Sequence, residues 1–173
     1  MTALPFVLRP PRADDVPLYT AHLGDPEVTI WLEDYCQRPV SMAQAEAFLL
    51  RDTWCCWSIE CESAFAGATG LDLQDLAHGT ARFFIVIGNR QLWRRGLGTA
   101  VTERVLENGF SNLGLRKINS DYLEPNMPSH VIHERAGFVV EGRLRQDAWR
   151  KGRWIDRTIL SILKDEFDSR KSH

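Results

Sequence analysis

Nowhere does this 173-residue chain hold an apolar run approaching the ~20 residues that cross a bilayer. The short apolar start Met1–Phe6 is ended by Arg9 and is too brief to read as a signal peptide. Surplus charge is lacking as well: 21 Lys and Arg against 23 Asp and Glu leave a formal −2. That excludes a nucleic-acid coat or a broad membrane-binding surface, though not a local basic patch. Paired CxxC spacing is absent. Cys36, Cys55, Cys56 and Cys61 do not make a zinc site, and adjacent Cys55–Cys56 suits no disulfide framework. They read as reduced, mostly buried thiols of a cytoplasmic protein, with no metal expected. Repeats, low-complexity tracts and linkers are missing too. What remains is 44% hydrophobic and 25% charged, an ordinary globular composition at a length suited to one domain over residues 1–173. A disordered tail is expected from about residue 168 to 173.

Local patterns give the order of elements. FVLRP reads as a strand stopped by Pro10–Pro11. ADDVPLYTAHLGD starts a helix that Asp14 or Asp15 can cap, with Pro17 tolerated in its first turn and Gly24 ending it. DPEVTIWLEDY predicts a short second helix, and SMAQAEAFLLRD opens on a capping box, Ser41 with Gln44. WCCWSIE and SAFAGATGLDL predict strands separated by Glu62–Ser63, LAHG a turn, and TARFFIVIG a strand buried on both faces. From Leu97 the period changes: Leu97, Val101, Val105, Phe110 and Leu113 lay one apolar stripe on a helix. LRKINSDYL returns to strand. PNMPSHVIHERAG predicts a helix capped by Asn126 and stopped at Gly137, and FVVEGRLRQDAW pairs with RWIDRTILSIL across Lys151–Gly152. The sum is mixed α/β (α+β), antiparallel in front with a crossover in the second half.

One stretch calls for a ligand. In RQLWRRGLGTA, residues 90–100, a basic Gly-x-Gly turn joins the end of a strand to the start of a helix. Amides at a helix start have no intrahelical partner, and the helix dipole adds positive potential there, so glycines that admit an anion complete a phosphate cradle. The donors would be the amides from Arg94 to Thr99, with charge from Arg90, Arg94 and Arg95. A Rossmann turn needs a third glycine where Val101 stands, and a P-loop needs Gly-Lys-Ser/Thr, which is absent. A tight turn with a solvated arginine pair is the competing reading.

The downstream blocks separate these readings. RRGLGTA, then EPNMPSHVIHERAGF, then EGRLRQDAWRKGRWID resemble, in order and spacing, the GNAT superfamily of acetyl-CoA-dependent N-acetyltransferases. The closer likeness is to the branch holding the ribosomal-protein-alanine and spermidine acetyltransferases, and it covers roughly residues 80–160. It implies a single domain with a mostly antiparallel sheet of about seven strands, flanking helices and a splayed central strand pair. It also implies acetyl-CoA as co-substrate, with its diphosphate on the turn of Trp93, Arg94, Arg95, Gly96, Leu97, Gly98 and Thr99. Backbone groups of Ile85, Val86 and Ile87 would meet the pantetheine, and Asn126 and Ser129 match the family's Asn-x-x-Ser block.

Acetyl transfer to an amine needs a neutral amine, donors for the thioester oxygen and an acid for the leaving thiolate. The resemblance places the acid where a tyrosine is common; here that position is His133, with Tyr122, His130 and Ser129 as further candidates. Trp31, Glu33 and Asp34 border the acceptor side by resemblance, and either carboxylate could hold a cationic amine. Arg82 stands where relatives often carry a carboxylate. Pointing into the cleft, it would disfavour a polycation and favour an acceptor bearing a carboxylate or phosphate. The tryptophans and Tyr35 offer stacking surfaces, at most two of them expected to touch ligand. The acceptor is expected to be a small-molecule amine or a protein N-terminus, and the protein a monomer or a homodimer. Nucleic acid and membranes are not expected as partners. The alternative is a non-catalytic acyl-CoA-binding module; a third reading, an RNA-binding domain, is at odds with the acidic balance.

Overall fold

The computed structural model describes residues 4–51 and 54–171, with backbone alone at 54 and 74–76. Among these residues seven strands make one sheet: β1 (Phe6–Arg9), β2 (Trp54–Cys61), β3 (Ala64–Asp75), β4 (Thr80–Ile87), β5 (Lys117–Leu123), β6 (Val139–Arg150) and β7 (Arg153–Leu163). Their order is β1-β2-β3-β4-β5-β7-β6. Every neighbouring pair is antiparallel except β4 with β5. Both expected hairpins turn on two left-handed residues, Glu62 and Ser63 (φ 53° and 63°) and Lys151 and Gly152 (φ 49° and 74°). That turn hand matches the twist of the flanking strands.

Six helices flank the sheet among the described residues: α1 (Asp15–Leu23), α2 (Pro26–Thr29), α3 (Met42–Leu49), α4 (Leu97–Glu107), α5 (Met127–Ala136) and α6 (Lys164–Lys171). The capping box of α3 is present, Ser41 accepting from the Gln44 amide and Gln44 from that of Ser41. At α1 the side chain of Asp14 caps nothing. Asp15 instead is buried and accepts from the Arg12 amide, Arg9 and Ser58. Burial alone would raise its pKa, but those donors hold it below the usual carboxylate value.

Three expectations need correction. DPEVTIWLEDY is not one helix but the single turn α2 and a 3₁₀ turn at Asp34–Gln37. Arg150, only 4% exposed, opens the chain between them by donating to the carbonyls of Ile30 and Leu32 at 2.9 and 2.7 Å. The apolar stripe of α4 holds for Leu97, Val101, Val105 and Phe110, but Leu113 is 37% exposed. A π-helical turn at Asn108–Asn112 inserts itself there and rotates Leu113 out of phase. Finally, the expected tail is helical: α6 runs to Lys171, while residues 172 and 173 lie outside those described.

The reason lies in Phe167, 1% exposed and packed on Phe110 with ring centroids 5.1 Å apart. Arg170 also donates to the carbonyls of Arg135 and Ala136 at the end of α5. There Gly137 (φ +82°) has no room for a Cβ, which would sit 2.6 Å from Arg170 Cδ. Phe167→Ala is expected to destabilise the protein by about 3–5 kcal/mol, measured by urea unfolding. A solvated tail would give no change.

Candidate active site

β4 and β5 pair only over Thr80↔Lys117, Ala81↔Ile118 and Arg82↔Asn119. Beyond Arg82 they part, so the β5-facing edge of the remaining Phe83–Ile87 segment has no partner in β5. This splay also corrects the expectation of a fully buried β4, since Phe84, Ile85 and Ile87 are only partly buried and Arg82 is exposed. Two cavities occupy the opening.

The first, about 640 Å³, lies against the glycine turn. Arg94 (φ 59°) and Gly96 (φ 82°) are both left-handed and swing the chain into α4. The first intrahelical bond is from Ala100 to the Gly96 carbonyl, at 3.1 Å. The amides of Leu97, Gly98 and Thr99 precede that bond and are without intrahelical partners. Gly98 also lets α4 and α5 approach, because a Cβ there would be 2.6 Å from Ile132 Cδ1. Ile85, Val86, Ile87, Trp93 and Arg94 line this cavity, as do Gly96 through Thr99 and, from α5 and its cap, Asn126 and Ser129. Arg95 does not: its guanidinium pairs with Glu62 at 2.8 Å, on the outside of the turn. Ile87 contributes less backbone than expected, since its carbonyl already accepts from Trp93 Nε1 at 2.8 Å.

The second cavity, about 790 Å³, is the other half of the cleft. Trp31, Leu32, Ile85, Val86, Asn126 and Ser129 line both, so they mark the passage between them. Asn126 is fixed as the cap of α5, accepting from the Ser129 amide at 3.2 Å.

Tyr122 and His133 line the wall beyond the passage, and His130 is bonded to the first. Tyr122 Oη lies 2.8 Å from His130 Nδ1, and its ring stacks on His133 at 5.7 Å. His133 is 2% exposed. Its Nδ1 lies 2.7 Å from the Ser129 carbonyl, which can only accept, so Nδ1 carries the proton and Nε2 accepts from Ser120 Oγ at 2.7 Å. Ser129 Oγ stands 3.3 Å from the same Nδ1. Burial lowers the pKa of His133, outweighing the Ser129 carbonyl and Asp121. The ring is therefore a neutral, fully bonded buttress. Burial lowers the pKa of His22 likewise.

An unfolded histidine titrates near 6.5, so on acidification the unfolded chain takes up protons before these folded rings do. Their contribution is complete above pH ~6.5 and is lost as pH falls toward the depressed folded values. The urea midpoint is expected to drop from pH 7.5 to pH 5.5, and less so in His133→Leu. An equal drop in that variant would contradict the assignment.

Charges crowd the open end. Arg82 lines the second cavity, but its guanidinium is held by Asp121 at 2.6 Å and Glu33 at 2.7 Å. The free positive charge expected of it is thus neutralised, and with it the argument against a cationic acceptor. Arg157 pairs with Asp121, Asp147 and Glu33, and Asp34 with Arg150 at 2.8 Å. Asp121, Arg157 and Ser120 went unnoticed in the sequence; charged residues within strands of otherwise apolar character were the available signal. Of the aromatics, Trp31 and Tyr35 line the cleft. Trp57 packs on the core, Trp149 and Trp154 pair with each other at the hairpin end, and the side chain of Trp54 lies outside the described residues. All four cysteines are free. Among the described residues no group of three or more His, Cys, Asp or Glu could hold a metal, and no helix is long and apolar enough to cross a membrane.

Comparison with known proteins agrees with this geometry. The acetyltransferase (GNAT) domain family model matches residues 6–139. The uncharacterized N-acetyltransferase p20 of Bacillus licheniformis is 26% identical over 94% of each chain. The spermidine N(1)-acetyltransferase of Escherichia coli K12 is 26% identical over 63% of this chain and 58% of its own. The crystal structure of the Vibrio cholerae spermidine N-acetyltransferase with CoA and spermine superposes with a TM-score of 0.82 at 21% identity, covering 94% of this chain and 97% of that one.

Proposed function

This chain belongs to the acetyltransferase (GNAT) domain family, and on that footing we propose that it transfers the acetyl group of acetyl-CoA to a primary amine by direct attack in a ternary complex. The observation that carries this reading is the continuous cleft: two cavities meeting at the splay of β4 from β5, one on a helix-start anion cradle, the other lined by polar groups. The CoA diphosphate takes the Leu97, Gly98 and Thr99 amides and the charge of Arg94. The pantetheine follows the open edge of β4 through Ile85–Ile87, which seats the thioester at the passage. An amide of this edge near Val86 receives the developing oxyanion; one such donor is worth roughly 3–4 kcal/mol.

The acceptor enters from the second cavity. A Lys-like amine, pKa ~10.4, costs about 4–5 kcal/mol to neutralise at pH 7. Its nitrogen attacks the thioester carbon, the C–S bond breaks, the nitrogen sheds its surplus proton to water in the acceptor cavity, and the thiolate leaves with a proton from an acid. We assign that acid to Tyr122. Tyr122 lines the acceptor cavity together with Ile85 and Val86, which border the passage. His130, hydrogen-bonded to the phenol, returns the proton, and His133 positions both the Tyr122 ring and Ser129. An enzyme fed by acetyl-CoA and carrying four free thiols belongs in the cytoplasm.

Initial rates of CoA release test the order of events, with acetyl-CoA and an amine from a primary-amine panel both varied. Intersecting reciprocal plots are expected for a ternary complex. Parallel plots would mean an acetylated enzyme and overturn direct attack.

A further inference from the structure

The strip from Ile30 to Asp34 walls the cleft. Trp31 and Leu32 border both cavities, and Glu33 and Asp34 border the acceptor cavity. The strip joins the single turn α2 to the 3₁₀ turn at Asp34–Gln37. Its local backbone bonds are those of turns, from Ile30 to the Pro26 carbonyl at 3.0 Å and from Leu32 to that of Thr29 at 2.9 Å. Short turns of this kind hold little order by themselves. The end of the β6–β7 hairpin meets the strip residue by residue. Arg150 Nε donates to the Ile30 carbonyl, 120 residues away in sequence, at 2.9 Å. Lys151 Nζ lies 5.6 Å from the centre of the Trp31 ring. Arg150 Nη2 donates to the Leu32 carbonyl at 2.7 Å and pairs with Asp34 at 2.8 Å. Arg157 approaches Glu33 at 3.7 Å. Trp31 also packs against Leu123, Ala148 and Ile155, the last two from the hairpin.

Arg150 is the strongest of these holds. Lys151 is exposed, and the Arg157–Glu33 contact is long, with Glu33 half open to solvent, so each contributes little. Arg150 is 4% exposed, and a buried cation is tolerated only where its donors are met. They are met here. Nη1 donates to the Trp149 carbonyl at 2.9 Å and ties the guanidinium to its own strand. The rest of the fork spans two carbonyls of the strip and a carboxylate, which a single ammonium does not cover. Arg150 itself lines neither cavity. We infer that Arg150 is a positioning residue for the acceptor: from the far end of the sheet it fixes the wall of Trp31 to Asp34 against which the amine is held. This inference rests on the acetyl-transfer reading.

Two variants test it with the best-used amine of the primary-amine panel. Arg150→Met removes every bond to the strip; Arg150→Lys keeps charge and stem but offers one nitrogen to three partners. At saturating acetyl-CoA, each is expected to raise KM for the amine by about tenfold or more, with kcat within about threefold of wild type. Acetyl-CoA affinity by calorimetry should also stay within about threefold, since the diphosphate seat belongs to α4. Hydrogen exchange places the effect: the amides of residues 30–37 should exchange about tenfold faster or more in Arg150→Lys, and those of β3 and β4 at the wild-type rate. If Arg150→Met does not fold, Arg150→Lys carries the test. An unchanged KM, a fall in kcat alone, faster exchange across the whole sheet, or failure of both variants to fold would overturn the role and leave acetyl transfer standing. If wild type acetylates no amine, the transfer reading fails, and exchange of residues 30–37 with amine binding to the CoA complex still reads the wall. A looser strip with weaker amine binding in Arg150→Lys would then support the placement, and no change in either would overturn it.

Discussion

Gly98→Asp is expected to lower acetyl-CoA affinity by about a hundredfold or more while the fold persists. The turn places three amides without intrahelical partners, Leu97 to Thr99, at the start of α4, where the diphosphate is to sit. A carboxylate among them meets phosphate at close range. Like charges 4 Å apart repel by about 4 kcal/mol at surface-like dielectric, roughly a thousandfold before solvent screening. Packing adds a smaller local cost, since a Cβ at Gly98 presses on Ile132 Cδ1, the movable end of a side chain. Gly98→Ala separates the two effects by carrying the Cβ without the charge. Titration calorimetry with acetyl-CoA, alongside circular dichroism of both variants, checks the result. Binding by Gly98→Asp within a few fold of wild type would mean that the anion lies elsewhere.

Tyr122→Phe is expected to lower kcat by about a hundredfold or more with acetyl-CoA binding unchanged, the scale of a lost general acid. The phenol touches no core carbonyl or charge; its hydrogen bond goes to His130 Nδ1. The methyl-sized change therefore leaves the stack on His133 in place. His130→Ala should give a milder loss, because it removes the proton return and leaves the acid. If Tyr122→Phe retains full kcat while His133→Asn loses it, the imidazole is the acid after all, despite its burial and its two occupied nitrogens.

The fold was readable where short-range chemistry decides it. Glu62–Ser63, Lys151–Gly152, Ser41 with Gln44, and Asn126 with Gly137 are each set by a few adjacent residues, and all appear as expected. The glycine turn was readable for the same reason. Failures came where a distant partner decides. Phe110 and Arg135 hold α6, more than 30 residues away in sequence; nothing within DEFDSRKSH announces that. Arg150 splits the Pro26–Gln37 segment from the other end of the chain. Arg82 looked like a free cation because Asp121 and Glu33 meet it only through the sheet. His133 was singled out by position, but its 2% exposure follows from how α5 lies on β5, which periodicity does not encode.

The central claim is that acetyl carbon leaves CoA and arrives on an amine nitrogen. Acetyl-CoA labelled in the acetyl carbons, incubated with the protein and the amine panel, tests it directly by mass spectrometry of the products. The account predicts a labelled N-acetyl amine formed in equal amount with free CoA, and far less formed by Gly98→Asp at a donor concentration near the wild-type Kd. CoA release without a labelled amide, or bound acetyl-CoA left intact with every amine, would contradict it.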